Sequence, residues 1–338
     1  MRLSVIVPAR NEADVLRPCL ESLLAQAEAG FVLGADWELL LVDDGSTDQT
    51  RSIALSLPGV TILDPEPLQP GWTGKANAVW TAARLARGDW LLFTDADTVH
   101  EAGDLQRALH EAEHAKVVML SYSPRQVVTG FWQRALMPLI FSELSFAYPP
   151  AKVSDPSSRV AAANGQFLLV QRTAYFQVGG HSAAPGSLLE DVDLASLLKR
   201  RKYPIRFRYA PDALSTRMYR SFGAMFEGWT KNLARLFGMP VMMAAWKAVD
   251  LLLILGLPPL WWHFFPVTVT RYALALVWLR VLWRFYARVA KSHFPAVDCA
   301  LSIVALPLFC VLLVRSWWHY TVRNHVDWKG RAYSTAKQ

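Results

Sequence analysis

The sequence predicts an α/β protein with a doubly wound parallel sheet, followed by an apolar helical region. Three observations lead there. Short apolar runs alternate with helically spaced segments through the first half of the chain. Two of those runs end in acidic clusters. Past Gly238 the composition turns apolar, Trp-rich and basic.

Residues 3–8 (LSVIVP) are a short apolar run and predict a buried strand. Residues 12–28 have helical spacing, with Val15, Cys19 or Leu20, Leu23 and Leu24 on one face. Residues 37–42 (WELLLV) predict a second strand, ending in DDGSTD. Residues 47–57 predict a helix with a Thr or Asp cap, 60–63 a third strand, and 75–87 a helix. Residues 90–97 (WLLFTDAD) are another apolar run closed by carboxylates. This alternation implies parallel strands with helices on both faces. Ligands bind such sheets beyond the carboxyl ends of the strands, so both acidic clusters are expected on one edge.

Further on, 104–115 predict a helix and 116–122 a strand. Residues 130–148 are apolar and aromatic around Arg134 and Glu143, and read either as an interfacial helix or as a core helix. Residues 151–160 read as a loop, and 164–170 and 205–209 as strands. Between those strands, 187–202 predict a helix with Glu-Asp-Val-Asp in its first turn.

Composition divides the chain into residues 1–238 and 239–338. The first part carries 24 Lys/Arg against 25 Asp/Glu, and the second 11 against 3. A basic, aromatic, apolar region suits a membrane surface with anionic lipids, not nucleic acid. Apolar stretches occupy 249–265, 267–283 and 296–314, and the last is the clearest candidate span. The first two are expected to be broken by Pro258, Pro259 and Pro266. Trp261–Trp262 and Trp317–Trp318 sit at segment ends, as an aromatic belt requires. Arg284, Arg288 and Lys291, and then Arg315, Arg323, Lys329 and Arg331, favour the cytosolic side. Three full crossings would separate these groups, so one stretch is expected to lie in the interface or re-enter. Cys19, Cys299 and Cys310 have no metal-site spacing and read as reduced thiols. MRLSVIVPARNE has no signal-peptide pattern, so the first domain is expected in the cytosol.

Four polar clusters carry the chemistry: Pro8-Ala9-Arg10-Asn11-Glu12, Asp43-Asp44-Gly45-Ser46-Thr47-Asp48, Asp95-Ala96-Asp97 and Glu190-Asp191-Val192-Asp193. Lys75 and Asn77 add a basic and amide pair. In extended backbone, residues i and i+2 point the same way, so Asp95 and Asp97 suit one hard cation. Mg2+ or Mn2+ there would leave coordination positions for a diphosphate. Taken singly, Asp95-Ala96-Asp97 reads as a solvated turn, and Asp43-Asp44-Gly45 as a turn or helix cap.

The order and spacing of SVIVPARNE, LLVDDGSTDQT, GKANA, GDWLLFTDAD, NGQFLLVQRTAY, GGH and LEDVDL resemble the GT-A fold glycosyltransferases of family 2, over about residues 3–237. That resemblance implies a doubly wound nucleotide-diphospho-sugar transferase domain followed by C-terminal membrane helices. It implies that Pro8, Arg10 and Glu12 line the nucleotide pocket, with Asp43 or Asp44 near base and ribose and Lys75 near base or diphosphate. It places Asp95 at the diphosphate-ribose or metal, and Asp97 at the metal. It makes Asp191 the general base and Glu190 the residue that orients the acceptor. At a helix N-terminus, Asp191 is expected to stay ionised.

The Q-x-x-R-W motif of processive members is absent. The stretch GWTKN (228–232) and the end WKGRAY (328–333) look instead like membrane-bound members that glycosylate carotenoids or hopanoid-type lipids. Arg217, Arg220, Trp229 and Lys231 are then expected at the diphosphate and the acceptor mouth, although Trp229 also reads as a core aromatic. His181 reads as a structural turn residue, with a ligand or acceptor contact as the alternative. The resemblance implies an inverting, metal-dependent transfer from a UDP- or GDP-sugar to a hydroxyl or carboxyl group of a membrane lipid, on the cytosolic face. A catalytically silent membrane-binding protein and a glycan synthase are the alternatives. A nucleotidyltransferase lacks support, since PARNE is not a Gly-rich phosphate loop.

Overall fold

The computed structural model describes residues 1–26, 28–264, 268–328 and 331–334. Pro266 and Lys329 lie outside them. The elements run β1 (Leu3–Ala9), α1 (Ala13–Leu24), β2 (Trp37–Asp43), α2 (Thr50–Leu55), β3 (Val60–Leu63), α3 (Gly74–Leu85), β4 (Trp90–Phe93), β5 (Thr98–His100), α4 (Asp104–His114), β6 (Met119–Ser123), β7 (Arg125–Gln126), α5 (Phe131–Ala147), α6 (Pro150–Ser154), β8 (Leu168–Gln171), α7 (Arg172–Gln177), α8 (Glu190–Arg200), β9 (Ile205–Tyr209) and β10 (Leu214–Thr216). Then follow α9 (Phe222–Leu236), α10 (Pro240–Phe264), α11 (Thr268–Val289), α12 (Ala296–Leu301), α13 (Leu306–Thr321), β11 (His325–Trp328) and β12 (Arg331–Ser334).

The chain forms two compact units. One comprises Met1–Val127 and Pro150–Met218, and the other Val128–Pro149 and Tyr219–Gln338. Composition alone put the change at 238/239.

The first unit holds a seven-stranded sheet in the order β3-β2-β1-β4-β8-β6-β9. Strand β1 pairs in parallel with β2 and β4. It is buried except at Pro8, which is why it reads as an unbroken apolar run. Val5 and Val7 join Leu16, Leu20 and Leu23 of α1 in the main core, while α3, with Ala76, Val79 and Ala82 buried, packs against β1. The expectation of an all-parallel sheet is corrected: β8 runs antiparallel to both β4 and β6. Reversal has a consequence for the edge. Leu168 stands opposite Phe93, so the loop before β8 reaches the edge where β4 ends. The segment expected as a loop at 151–160 also begins with the short helix α6. Strands β5, β10 and β7 form a small second sheet.

The second unit is helical, with a β11–β12 hairpin. Its longest helix, α10, runs through Pro258 and Pro259 rather than stopping at them. Pro258 has no N–H for the Ile254 carbonyl, and the Trp278 indole of α11 donates to that oxygen instead at 2.9 Å. The stretch 296–314, expected as the clearest span, is two helices. Pro307 fits the first turn of α13 but not a helix interior, so the chain turns at 302–305. Among the described residues one helix, Pro240–Leu260, is long and apolar enough to cross a membrane. Its Trp246, Leu252 and Leu255 are exposed, as are Val269, Tyr272, Leu276 and Trp283 of α11.

Among the described residues, ion pairs fasten the helices of this unit, two groups of them through α5. Arg134 of α5 meets Asp298 of α12 at 2.6 Å. Glu143 of α5 is 1% exposed and takes Lys247 of α10 at 2.6 Å and Arg288 of α11 at 2.5 Å. The Arg288 guanidinium also lies over Phe146. Glu143→Ala leaves the buried Lys247 ammonium without its counter-charge. The expected loss is about 3–5 kcal/mol in detergent, measured by denaturant unfolding of this unit. A loss below about 1 kcal/mol contradicts that reading of the pair.

Candidate active site

Parallel register places Ala9 beside Asp43, so β1 and β2 deliver their polar turns to one edge. Those turns lock together. The Asp44 N–H donates to the Ala9 carbonyl at 2.9 Å, and the Glu12 N–H to the Thr50 hydroxyl at 2.8 Å. Asn11, in the left-handed region at φ 52°, accepts from the Thr47 N–H at 2.8 Å. Arg10 donates to the Asp44 carbonyl at 3.1 Å and stands 3.7 Å from its carboxylate. The buried Asp43 carboxylate accepts from the Ser46 N–H at 3.0 Å and faces Arg51 at 3.5 Å.

The second group gathers around Lys75, in the first turn of α3. Thr73 caps that helix by accepting from the Ala76 N–H at 3.1 Å. The Lys75 ammonium sits 2.7 Å from Asp95 Oδ1 and 2.7 Å from Glu190 Oε1. Burial would pull this ammonium down, but the two carboxylates carry it well above its ordinary value. Asp191 starts α8. Its Oδ2 accepts from the Gly165 N–H at 2.7 Å, and its Oδ1 from the Val192 N–H at 2.8 Å. A Cβ at Gly165 would stand 3.2 Å from Lys75 Nζ, tighter than ordinary contact, and 3.6 Å from Asp191 Oδ2, which is ordinary contact. One cavity is lined by Pro8, Lys75, Asp95, Glu190 and Asp191, together with Gly165 and His181.

The expectation of a firmly ionised Asp191 is revised. Burial and the adjacent Glu190 push its carboxyl up to about 7, with Lys75 and the two N–H donors opposing them. A group poised there holds or releases a proton near neutrality.

The turn bearing Asp95 and Asp97 is pinned from beneath. The Thr98 hydroxyl donates to the Asp95 carbonyl at 2.7 Å, and the Thr216 hydroxyl to the Asp97 carbonyl at 3.2 Å. Thr94 donates to the Gln166 carbonyl at 2.8 Å and meets His100 Nε2 at 3.1 Å. His100 Nδ1 in turn pairs with Asp104 at 2.7 Å, both side chains being fully buried. Cys19 packs below the same turn, its thiol pushed up to about 12 by burial and so inert as a nucleophile.

Among the described residues no group of three or more His, Cys, Asp and Glu side chains is placed to hold a metal. The expected extended Asp-x-Asp pair is corrected: β4 ends at Phe93 and Ala96–Asp97 lie in a turn, so Asp95 lines the cavity beside Lys75 while Asp97 is not among its lining residues. Carboxylates two residues apart suit a divalent ion completed by phosphate oxygens and water rather than a closed protein cage.

Pro8, Lys75, Asp95, Glu190 and Asp191 therefore share one cavity, while Arg10, Glu12, Asp43 and Asp44 form the interlocked turns after β1 and β2. Arg217 is an exposed residue of the same unit, just after β10. Trp229 and Lys231 belong to α9 of the second unit. Trp229 is 2% exposed, its indole donating to Met137 Sδ at 3.4 Å and packing edge-on to Phe141 and Tyr219. Packing within this unit accounts for its burial. Two contributors carry no ionisable signal: the Gly165 N–H and the threonines under the aspartate turn. The string Asn164-Gly165-Gln166 before an apolar run was the available sign of the first.

Residues 4–169 match the family model described as Glycosyl transferase family 2. Among curated proteins, the chain is 26% identical over 348 aligned residues to 4,4'-diaponeurosporenoate glycosyltransferase of Staphylococcus aureus, covering 99% of this chain and 89% of that protein. Among solved structures, it is similar to the mannosyltransferase PcManGT of Pyrobaculum calidifontis in complex with GDP-Man and Mn2+. That match has a TM-score of 0.55 and 19% identity, and covers 94% of this chain and 86% of that one. It bears out the α/β GT-A fold.

The charges around Asp191 set the direction of two shifts. Glu190→Gln removes the like charge and is expected to lower the Asp191 midpoint from about 7. Lys75→Ala removes the opposing cation and is expected to raise it. Carboxyl-carbon NMR of aspartate-labelled protein follows both. Movement in the reverse direction would refute the assignment of causes.

Proposed function

We propose that this chain, a glycosyltransferase with a family 2 domain at residues 4–169, moves one sugar from a UDP- or GDP-sugar to a hydroxyl or carboxyl group of a membrane lipid, with inversion. The observation that carries this reading is the convergence of Asp191, Glu190, Lys75 and Asp95 on one cavity.

Asp191 is the base for a hydroxyl acceptor. Its carboxylate takes the hydroxyl proton as the oxygen attacks the anomeric carbon. The bond from that carbon to the diphosphate oxygen breaks, and the diphosphate leaves with the electron pair. A carboxylate acceptor needs no proton removed. Glu190 orients the acceptor and holds Lys75, which balances negative charge beside the diphosphate. Arg10, Glu12, Asp43 and Asp44 hold the nucleoside, with Pro8 at the cavity wall and Arg217 beside the phosphates. Asp97 and Asp95 would hold Mg2+ or Mn2+, which when bound supplies positive charge against the departing diphosphate.

The lipid acceptor is supported by the relative's name and by the match across 99% of this chain, its helical unit included. Exposed apolar side chains on α10 and α11 support membrane placement. The Lys/Arg excess after residue 238 supports the anionic cytosolic face. Absence of Q-x-x-R-W favours single transfer over polymer synthesis.

Membranes bearing the full chain are incubated with labelled nucleotide sugars, and extracted lipids are weighed by mass spectrometry. One added hexose per lipid is expected. Polymer or label-free lipid contradicts the reading. Asp191→Asn is expected to slow transfer to a hydroxyl acceptor by about 10²–10⁴-fold. Because a base must be deprotonated, kcat/KM should rise with pH through about 7 and fall below it. A flat profile for a hydroxyl acceptor argues against Asp191 as base.

A further inference from the structure

An imidazole also lines the cavity: His181. Its place is built by the two preceding residues. Gly179 (φ 86°) and Gly180 (φ 51°) lie in the left-handed region that favours glycine. A Cβ at Gly180 would stand 2.5 Å from the Tyr175 ring and 2.9 Å from Trp80, so only glycine lets the turn close onto Tyr175. The buried Tyr175 hydroxyl accepts from the His181 backbone N–H at 3.3 Å and sits 2.7 Å from His181 Nδ1. Its own hydrogen needs an acceptor, and Nδ1 supplies the lone pair. The ring hydrogen therefore resides on Nε2. Phe93 packs against the imidazole edge-on, with ring centroids 5.1 Å apart, and fixes its plane. Burial pulls the ring down to about 4, with Glu190 opposing and Lys75 adding to the effect, so the imidazole is neutral at physiological pH.

The imidazole that lines the cavity thus carries a neutral N–H donor, beside the carboxylates and the ammonium there. A hydroxyl is the group that both accepts from such a donor and donates to a carboxylate. We propose that His181 is a substrate-binding residue: its Nε2–H donates to a hydroxyl oxygen of the bound substrate, whose own hydrogen is directed to the Glu190–Asp191 carboxylates. The inference rests on the glycosyl-transfer reading for the identity of the substrate, but not for the state of the ring. The hydroxyl belongs either to the donor sugar or to the acceptor, and the two sources give different results.

Nitrogen-15 NMR of the histidine-labelled full chain tests the ring itself. It should report the Nε2–H tautomer, neutral at pH 7. An Nδ1–H tautomer or a cationic ring overturns the proposal, even if no lipid product is ever found. Binding of UDP-glucose and GDP-mannose is then compared with that of UDP and GDP, alongside steady-state kinetics on extracted lipid. For His181→Ala, about tenfold weaker binding of the sugar nucleotide with unchanged nucleoside diphosphate binding assigns the hydroxyl to the donor sugar. About a tenfold rise in acceptor KM alone assigns it to the acceptor. His181→Gln, which keeps an N–H donor, should recover most of the loss. Tyr175→Phe, which releases the tautomer, should weaken the same substrate to a smaller degree. A folded His181→Ala protein with both constants within twofold of the parent overturns the proposal.

Discussion

The site depends on one interaction: the Lys75 ammonium held between Asp95 and Glu190 at 2.7 Å from each. It joins three elements distant in the chain, the first turn of α3, the turn after β4 and the start of α8. Without it, carboxylates from the turn after β4 and from α8 would face one another across a partly buried cavity and repel. Their mutual proximity is tolerable because the cation stands between them. Its cation also tempers the electrostatic state of Asp191, where burial and Glu190 disfavour charge while Lys75 and two backbone N–H groups favour it.

Sheet topology supplies the geometry that this interaction needs. Parallel β1, β2 and β4 end at the same edge, and β8, reversed between β4 and β6, brings its preceding loop to that edge. The Gly165 N–H can then meet Asp191. Beneath, buried threonines and the His100–Asp104 pair satisfy the polar groups of a turn that would otherwise be costly to bury.

Much of this was legible in the residues. The strand at 60–63 and the strand at 205–209 coincide with β3 and β9, because a short apolar run (VTIL) and an apolar–basic alternation (IRFRY), each bounded by turn residues, leave little choice of boundary. The acidic clusters were placed on one edge by the rule that parallel strands end together. The direction of β8 was not legible, since Leu168–Gln171 is apolar in either orientation. Strands β5, β7 and β10 are two or three residues long, too short to show a period. The continuity of α10 through Pro258 depends on a Trp278 donor from another helix, and such long-range rescue leaves no local mark. Residue types of the site were visible; the Tyr175–His181 contact that sets a tautomer, and the burial of Trp229 among Met137, Phe141 and Tyr219, follow from tertiary packing.

The central claim is that one cavity binds an activated sugar between Lys75 and Asp191. An experimental structure of the full chain with a non-hydrolysable UDP- or GDP-sugar analogue tests it most directly. The diphosphate is predicted beside Lys75 and Asp95, with the anomeric carbon facing Asp191. A nucleotide sugar seated away from these residues, with the Lys75–Glu190 contact undisturbed and Asp191 remote from the sugar, would contradict the account.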